Sequence, residues 1–147
     1  SVGKTGRVYG FDIQREAVGQ TRSRLERAGC TEQAVLICDS HENMADYVKD
    51  QASVIMFNFG YLPGGDHSVA TRPETSLKAV EAGMKLLRTG GVMSLCIYSG
   101  GDTGYEEKTA LLARLKELDT KQWLVIVHSY YNRKNDPPLP VFVIRLS

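Results

Sequence analysis

The sequence predicts a single α/β domain over residues 1–147, built on a three-layer, mostly parallel sheet with an antiparallel strand at the C-terminal end. Three observations carry this. Apolar runs of strand length alternate with amphipathic stretches of helix length, the run Val54 to Phe57 stops abruptly in a polar, turn-rich loop, and the last two apolar runs are joined without room for a helix.

Taken in order, Arg7 to Asp12 reads as a strand ending in an acid. Gln14 to Ala28 follows as a helix with Val18, Thr21, Leu25 and Ala28 on one face, stopped by Gly29. Ala34 to Cys38 is the next strand, ending in Asp39, Ser40 and His41, and Met44, Tyr47 and Val48 give a short helical stripe. Val54 to Phe57 is unbroken and apolar, as expected of a central parallel strand buried on both faces. Thr71 and Glu74 have the spacing of a helix capping box, with Pro73 in the first turn. Leu77, Val80, Met84 and Leu87 then recur at helical spacing, and Gly90 and Gly91 are expected to end that helix. Val92 to Tyr98 is a further buried strand, followed by a helix carrying Leu111, Leu115 and Leu118. Trp123 to Ser129 and Val141 to Leu146 are separated by YYNRKNDPPLP, too short for a crossover, so they must pair antiparallel.

The chain has 147 residues, of which 42% are hydrophobic and 24% charged, enough for one core and too few for two. A net charge of +1 neither demands nor excludes nucleic acid. Cys30, Cys38 and Cys96 show no CxxC and no zinc spacing with histidine, so no metal site is expected. Two of them fall in or beside apolar strands, where a reduced, buried thiol is expected, which favours a cytoplasmic protein. No apolar run reaches membrane-spanning length. Sheets that bind dinucleotides or adenosyl groups usually begin with a strand entering a Gly-rich turn. Only SVGKTG precedes Arg7, so that first strand and loop are expected to be missing and the chain reads as N-terminally truncated.

VYGFDIQ, CDSH, FNFGYLPGGDHSVATRPETSLKAVE and NDPP together resemble the YtqB-like rRNA methylase family, whose members include a tRNA wobble-uridine methyltransferase. The resemblance covers nearly the whole chain. It implies a Rossmann-like class I methyltransferase fold, S-adenosyl-L-methionine as cofactor, tRNA or another structured RNA as partner, and methylation of the 5-aminomethyl group on a modified wobble uridine. The family's first strand and Gly-rich cofactor loop have no counterpart here. Oligomeric state is not legible, and a homodimer is left open.

Asp12 stands where a strand end presents a carboxylate to two ribose hydroxyls, the role favoured over that of a helix N-cap before Ile13, although both can hold. Gln14 is the next candidate for the same cofactor. Asp39 is balanced between adenine contact and helix capping. Ser40 and His41 are assigned to the cofactor on the resemblance. Asn58 and Tyr61 carry the sharpest chemistry. A side-chain amide oxygen and a backbone carbonyl hold the N–H bonds of a neutral amine and leave its lone pair free. The pair is similar to the Asn-Pro-Pro-Tyr signature of amino-group methyltransferases, with Phe59 and Gly60 in place of the prolines. Gly60, Leu62, Pro63 and His67 are expected to line the acceptor pocket, and Asn135 and Asp136 its opposite wall. A nicotinamide-dependent oxidoreductase would use the same acid at Asp12, and a non-catalytic RNA-binding domain would keep the same fold. Both alternatives stay open at the level of sequence.

Overall fold

The computed structural model of the chain describes residues 2–59, 72–99 and 104–147. The first unit is β1 (Val8–Phe11), α1 (Arg15–Arg27) and β2 (Ala34–Ile37), with β1 and β2 parallel and Val8 opposite Ala34. Gly29 takes φ +64, a left-handed stop that glycine adopts without steric cost, so α1 ends where expected. A single 3-10 turn (His41–Asn43) and the one-turn α2 (Met44–Tyr47) lead into β3 (Ala52–Phe59). After it come α3 (Pro73–Leu86), β4 (Leu87–Ile97), α4 (Gly104–Lys116), β5 (Trp123–Val127) and β6 (Leu139–Arg145).

These later strands form a four-stranded sheet in the order β3-β4-β6-β5. β3 and β4 are parallel, while β6 is antiparallel to both β4 and β5. The terminal strand therefore runs against β3, as the helix-free connection requires.

The core lies between this sheet and the two helices that follow its parallel strands. Phe57 and Phe59 of β3, Met93, Leu95 and Ile97 of β4, and Val141 and Val143 of β6 are buried against Ala79, Val80 and Met84 of α3 and Leu111 and Leu115 of α4. Each large side chain removed from water here contributes about 1.5–3 kcal/mol. Packing is close enough that a Cβ on Gly83 would meet Met93 Sδ at 3.1 Å. Small size at that position lets α3 lie directly on β3 and β4.

Three expectations need correction. β3 is not central and is not buried on both faces: it ends the four-stranded sheet, and Val54 and Met56 are 62% and 78% exposed. The reason is topological, since β1 pairs with β2 and no described strand occupies the far edge of β3. Gly90 and Gly91 do not end α3, which stops at Leu86 and passes straight into β4. They belong instead to an irregularity after the Ala52–Leu87 pair, before regular pairing resumes at Val54 and Val92. There a Cβ on Gly91 would lie 2.8 Å from the Arg88 carbonyl oxygen. Finally, Thr71 lies outside the described residues, and the visible cap of α3 is one residue later. The Arg72 backbone N–H donates to Thr75 Oγ1 (3.3 Å) and the Thr75 hydroxyl donates to the Arg72 carbonyl (3.0 Å).

Candidate active site

A cleft of about 1630 Å³ separates the two sheets. The parallel strands on its two sides, β1 and β3, are followed by polar residues at their carboxyl ends, where an open α/β sheet offers a ligand site. Asp12, Gln14, Ser40, His41, Asn58, Arg72 and Tyr98 all line it.

Asp12 is the first residue past β1. Its backbone N–H donates to the Ile37 carbonyl (3.2 Å), continuing the parallel ladder, and its Oδ1 accepts from the Gln14 backbone N–H (2.8 Å). One carboxylate oxygen thus orders the entry to α1, and the side chain remains exposed at the cleft. Capping and ligand acceptance are compatible at this position. Gln14 is half-buried and makes no side-chain cap of its own.

Asp39 is placed differently. Its Oδ1 accepts from the Ser40 backbone N–H (2.7 Å) and Asn43 Nδ2 (3.1 Å), and its Oδ2 from the Tyr47 hydroxyl (2.7 Å). These donors, Tyr47 first, hold its carboxyl below the usual carboxylate range, and the same bond pushes the Tyr47 phenol up. Asp39 is not among the cleft-lining residues, so it serves as the anchor of its own turn. Ser40 caps the 3-10 turn, accepting from the Glu42 N–H at 3.5 Å, and still reaches the cleft.

His41 packs edge-on against Phe57 and Phe59, with ring centroids 6.0 and 5.8 Å away. Its Nε2 is buried and has no hydrogen-bond partner among the described residues. Burial lowers the imidazole pKa, opposed by the charges of Glu42 and Glu107, so His41 is a neutral, mostly apolar wall of the cleft.

Asn58 is exposed on the cleft side of β3, opposite Cys96 in the register. Its expected companions Gly60, Tyr61, Leu62, Pro63 and His67 lie outside the described residues. Asn135 and Asp136 are described and do not line the cleft. Both take left-handed backbone angles, φ 68 and 43. The Asp136 carboxylate accepts from Lys108 Nζ at 3.0 and 3.2 Å, and the same ammonium donates to Ser99 Oγ (2.8 Å). Ser99 first and Lys108 second lower the Asp136 pKa. The loop between β5 and β6 is thereby tied down over the end of β4, away from the far wall assigned to it from sequence.

Sequence reasoning missed Tyr98, which ends the apolar run of β4 much as Asn58 ends that of β3. It also missed a buried polar contact in which Ser76 of α3 donates its hydroxyl hydrogen to the Glu107 carboxylate of α4, with Glu107 only 2% exposed. Arg72 lines the cleft, whereas Arg88 donates to Ser53 Oγ and Lys78 pairs with Glu42. All three cysteines are free; Cys38 is exposed, contrary to the burial expected beside a strand. Among the described residues no three acidic, His or Cys side chains converge as a metal site, and no helix is long and apolar enough to cross a membrane.

The model of a family described as Putative rRNA methylase matches residues 8–144 of the chain. A chloroplastic tRNA (mnm(5)s(2)U34)-methyltransferase of Arabidopsis thaliana is 37% identical, covering 97% of this chain and 53% of its own length. The chain thus spans about half the length of that curated relative. A crystal structure from Clostridium thermocellum with the same family description is 44% identical, with a TM-score of 0.94, covering 97% of this chain and 77% of the other. SMU.1697c of Streptococcus mutans, crystallised in complex with SAH, is 36% identical with a TM-score of 0.88, covering 95% and 76%. A nicotinamide-dependent oxidoreductase finds no support among these relatives.

Proposed function

The chain belongs to the Putative rRNA methylase family, and on that premise we propose that it forms a single S-adenosylmethionine-dependent RNA methyltransferase domain over residues 1–147. Its substrate on this reading is the 5-aminomethyl group of a modified wobble uridine in tRNA, and it acts in the cytoplasm. The observation that carries the reading is the convergence of Asp12, Gln14, Ser40 and Asn58 at the carboxyl ends of neighbouring strands around one cleft.

Those residues suit the cofactor. Asp12 offers charge-assisted acceptance to a pair of ribose hydroxyls, Gln14 and Ser40 add neutral donors and acceptors, and the neutral ring of His41 supplies an apolar wall for an adenine. When bound, S-adenosylmethionine supplies a methyl group on a positively charged sulfur. Asn58 acts on the other reactant. Its amide oxygen accepts an N–H of the neutral amine, which leaves the nitrogen lone pair free and aimed into the cleft. Tyr61, Gly60, Leu62, Pro63 and His67 complete the acceptor pocket on this reading. Arg72 is the cationic contact for a tRNA phosphate, by a charge-assisted bond that fixes position and not sequence.

The test is methyl transfer by the full-length protein on bulk tRNA lacking this modification, read by nucleoside mass spectrometry. The expected result is loss of the aminomethyl nucleoside and gain of its N-methyl derivative. Binding of both S-adenosylmethionine and tRNA with no methylated nucleoside would overturn the reading in favour of a non-catalytic RNA-binding domain.

A further inference from the structure

We propose that the loop between β5 and β6 is an RNA-docking surface, on which Tyr130 and Tyr131 stack against unpaired bases beside the methylated uridine while Arg133 and Lys134 engage the adjoining phosphates. The inference rests on the RNA substrate proposed above. It adds a surface outside the cleft, which none of these four residues lines.

The loop, residues 128–138, is held at both ends. At its start the His128 backbone N–H donates to the Pro140 carbonyl (2.9 Å), and the His128 ring packs edge-on against Phe142 with centroids 5.3 Å apart. At its far end Lys108 Nζ donates to both Asp136 and Ser99. The left-handed backbone of Asn135 and Asp136 is one that Asn and Asp tolerate better than most side chains, and Pro137 and Pro138 follow with φ fixed by their rings. A loop restrained in this way has less conformational entropy to lose on binding. Ser99 is next in sequence to Tyr98, which lines the cleft, so the anchored end stands beside the site.

The middle of the loop carries the docking groups. Tyr130 is 51% exposed and Tyr131 completely so, and among the described residues neither makes a hydrogen bond or a ring contact. A tyrosine ring left in water forgoes the burial that would stabilise the fold, and its flat face stays open to a ligand. Arg133 and Lys134 follow at once, both exposed. No described carboxylate pairs with either, because the acid nearest in sequence, Asp136, is taken by Lys108 at 3.0 Å. Adjacent aromatic faces and uncompensated cations match single-stranded RNA, whose bases stack on rings and whose phosphates run alongside. A double helix, its bases already stacked on one another, offers this loop only its backbone.

The test uses the full-length protein and a synthetic anticodon stem-loop carrying the aminomethyl uridine, with the same stem as a closed RNA duplex for comparison. Binding is read by fluorescence anisotropy. Tyr131→Ala is expected to weaken stem-loop binding by about tenfold, and Tyr131→Phe, which keeps the ring, by less than about twofold. Duplex binding is expected to stay the same in both. Arg133→Gln combined with Lys134→Gln is expected to flatten the slope of log Kd against log salt by about 0.7 for each cation removed. Unchanged SAH affinity in calorimetry shows that each variant is folded. Equal stem-loop binding by the parent and Tyr131→Ala, or an equal loss on stem-loop and duplex, overturns the proposal. The underlying reading fails separately: a parent that binds the stem-loop through Tyr131 but transfers no methyl group keeps the surface and loses the methyltransferase, and a parent that binds no RNA overturns both.

Discussion

Along β3 the residues Phe57 and Phe59 point under α3 and α4 and are buried, whereas Val54, Met56 and Asn58, at alternate positions of the same strand, face the open cleft. One backbone serves two surfaces with different duties. On the buried side every residue is apolar and belongs to the core that packs beneath α3, so substitutions there act on folding. On the open side the apolar residues contribute little to this chain's own core, and the polar residue at the strand end is free to act on a ligand. Stability and chemistry are separated by strand alternation, at a distance of one residue.

The largest effect expected on that division is from Phe59→Ala. It removes a ring stacked on Phe57 at 5.0 Å and edge-on to His41, and leaves a cavity where α3 and α4 cannot collapse freely. A loss of about 3–5 kcal/mol in urea unfolding is expected. A loss near zero would mean that this side is not the core. Asn58→Ala, one residue away, is expected to lower kcat on the order of 100-fold at saturating substrates while leaving the unfolding midpoint in place. If it unfolded the protein as Phe59→Ala does, the separation of duties would be wrong. Asp12→Ala is expected to weaken S-adenosylmethionine binding in the full-length protein by about 1–3 kcal/mol in calorimetry, the loss of charge-assisted hydrogen bonds. Unchanged affinity would leave Asp12 with only its bond to the Gln14 backbone. The smallest effect is Met56→Gln in the present chain, expected within about 0.5 kcal/mol of the parent by urea unfolding. A larger loss would show that something covers the open face in solution.

The alternation of strands and helices was legible because its signals are local. Gly29 after Ala28, the Leu111, Leu115 and Leu118 stripe, and the short link between the last two strands each decide one element within a few residues. The edge position of β3 was not legible, because Val54, Ile55, Met56 and Phe57 are all apolar and their run carries no alternation to say which face is open. The end of α3 was misplaced for a related reason: Leu87 continues the helical spacing while its backbone turns extended, and Gly90 and Gly91 offered a stronger stop signal three residues late. In the site, Asp12 and Asn58 were legible as polar residues closing apolar strands. The occupation of Asp39 by Tyr47 was not, since it depends on how two short turns fold back on each other, nor that of Asp136 by Lys108, which is a contact across the fold. Tyr98 carries the same strand-end signal as Asn58, and only the parallel pairing of β3 and β4 brings the two strand ends to one cleft.

The far edge of β3 leaves the four-stranded sheet open to extension on one side. Among the described residues its outward backbone N–H and C=O groups have no ladder to join, and the segment from Ala52 to Phe59 contains neither lysine nor proline, the residues that commonly blunt such an edge. Val54, Ile55, Met56 and Phe57 are strong strand formers with no charge among them. Main-chain pairing there needs no matching side chains, so any extended segment set beside β3 would lengthen the four-stranded sheet while the core under α3 and α4 keeps its packing.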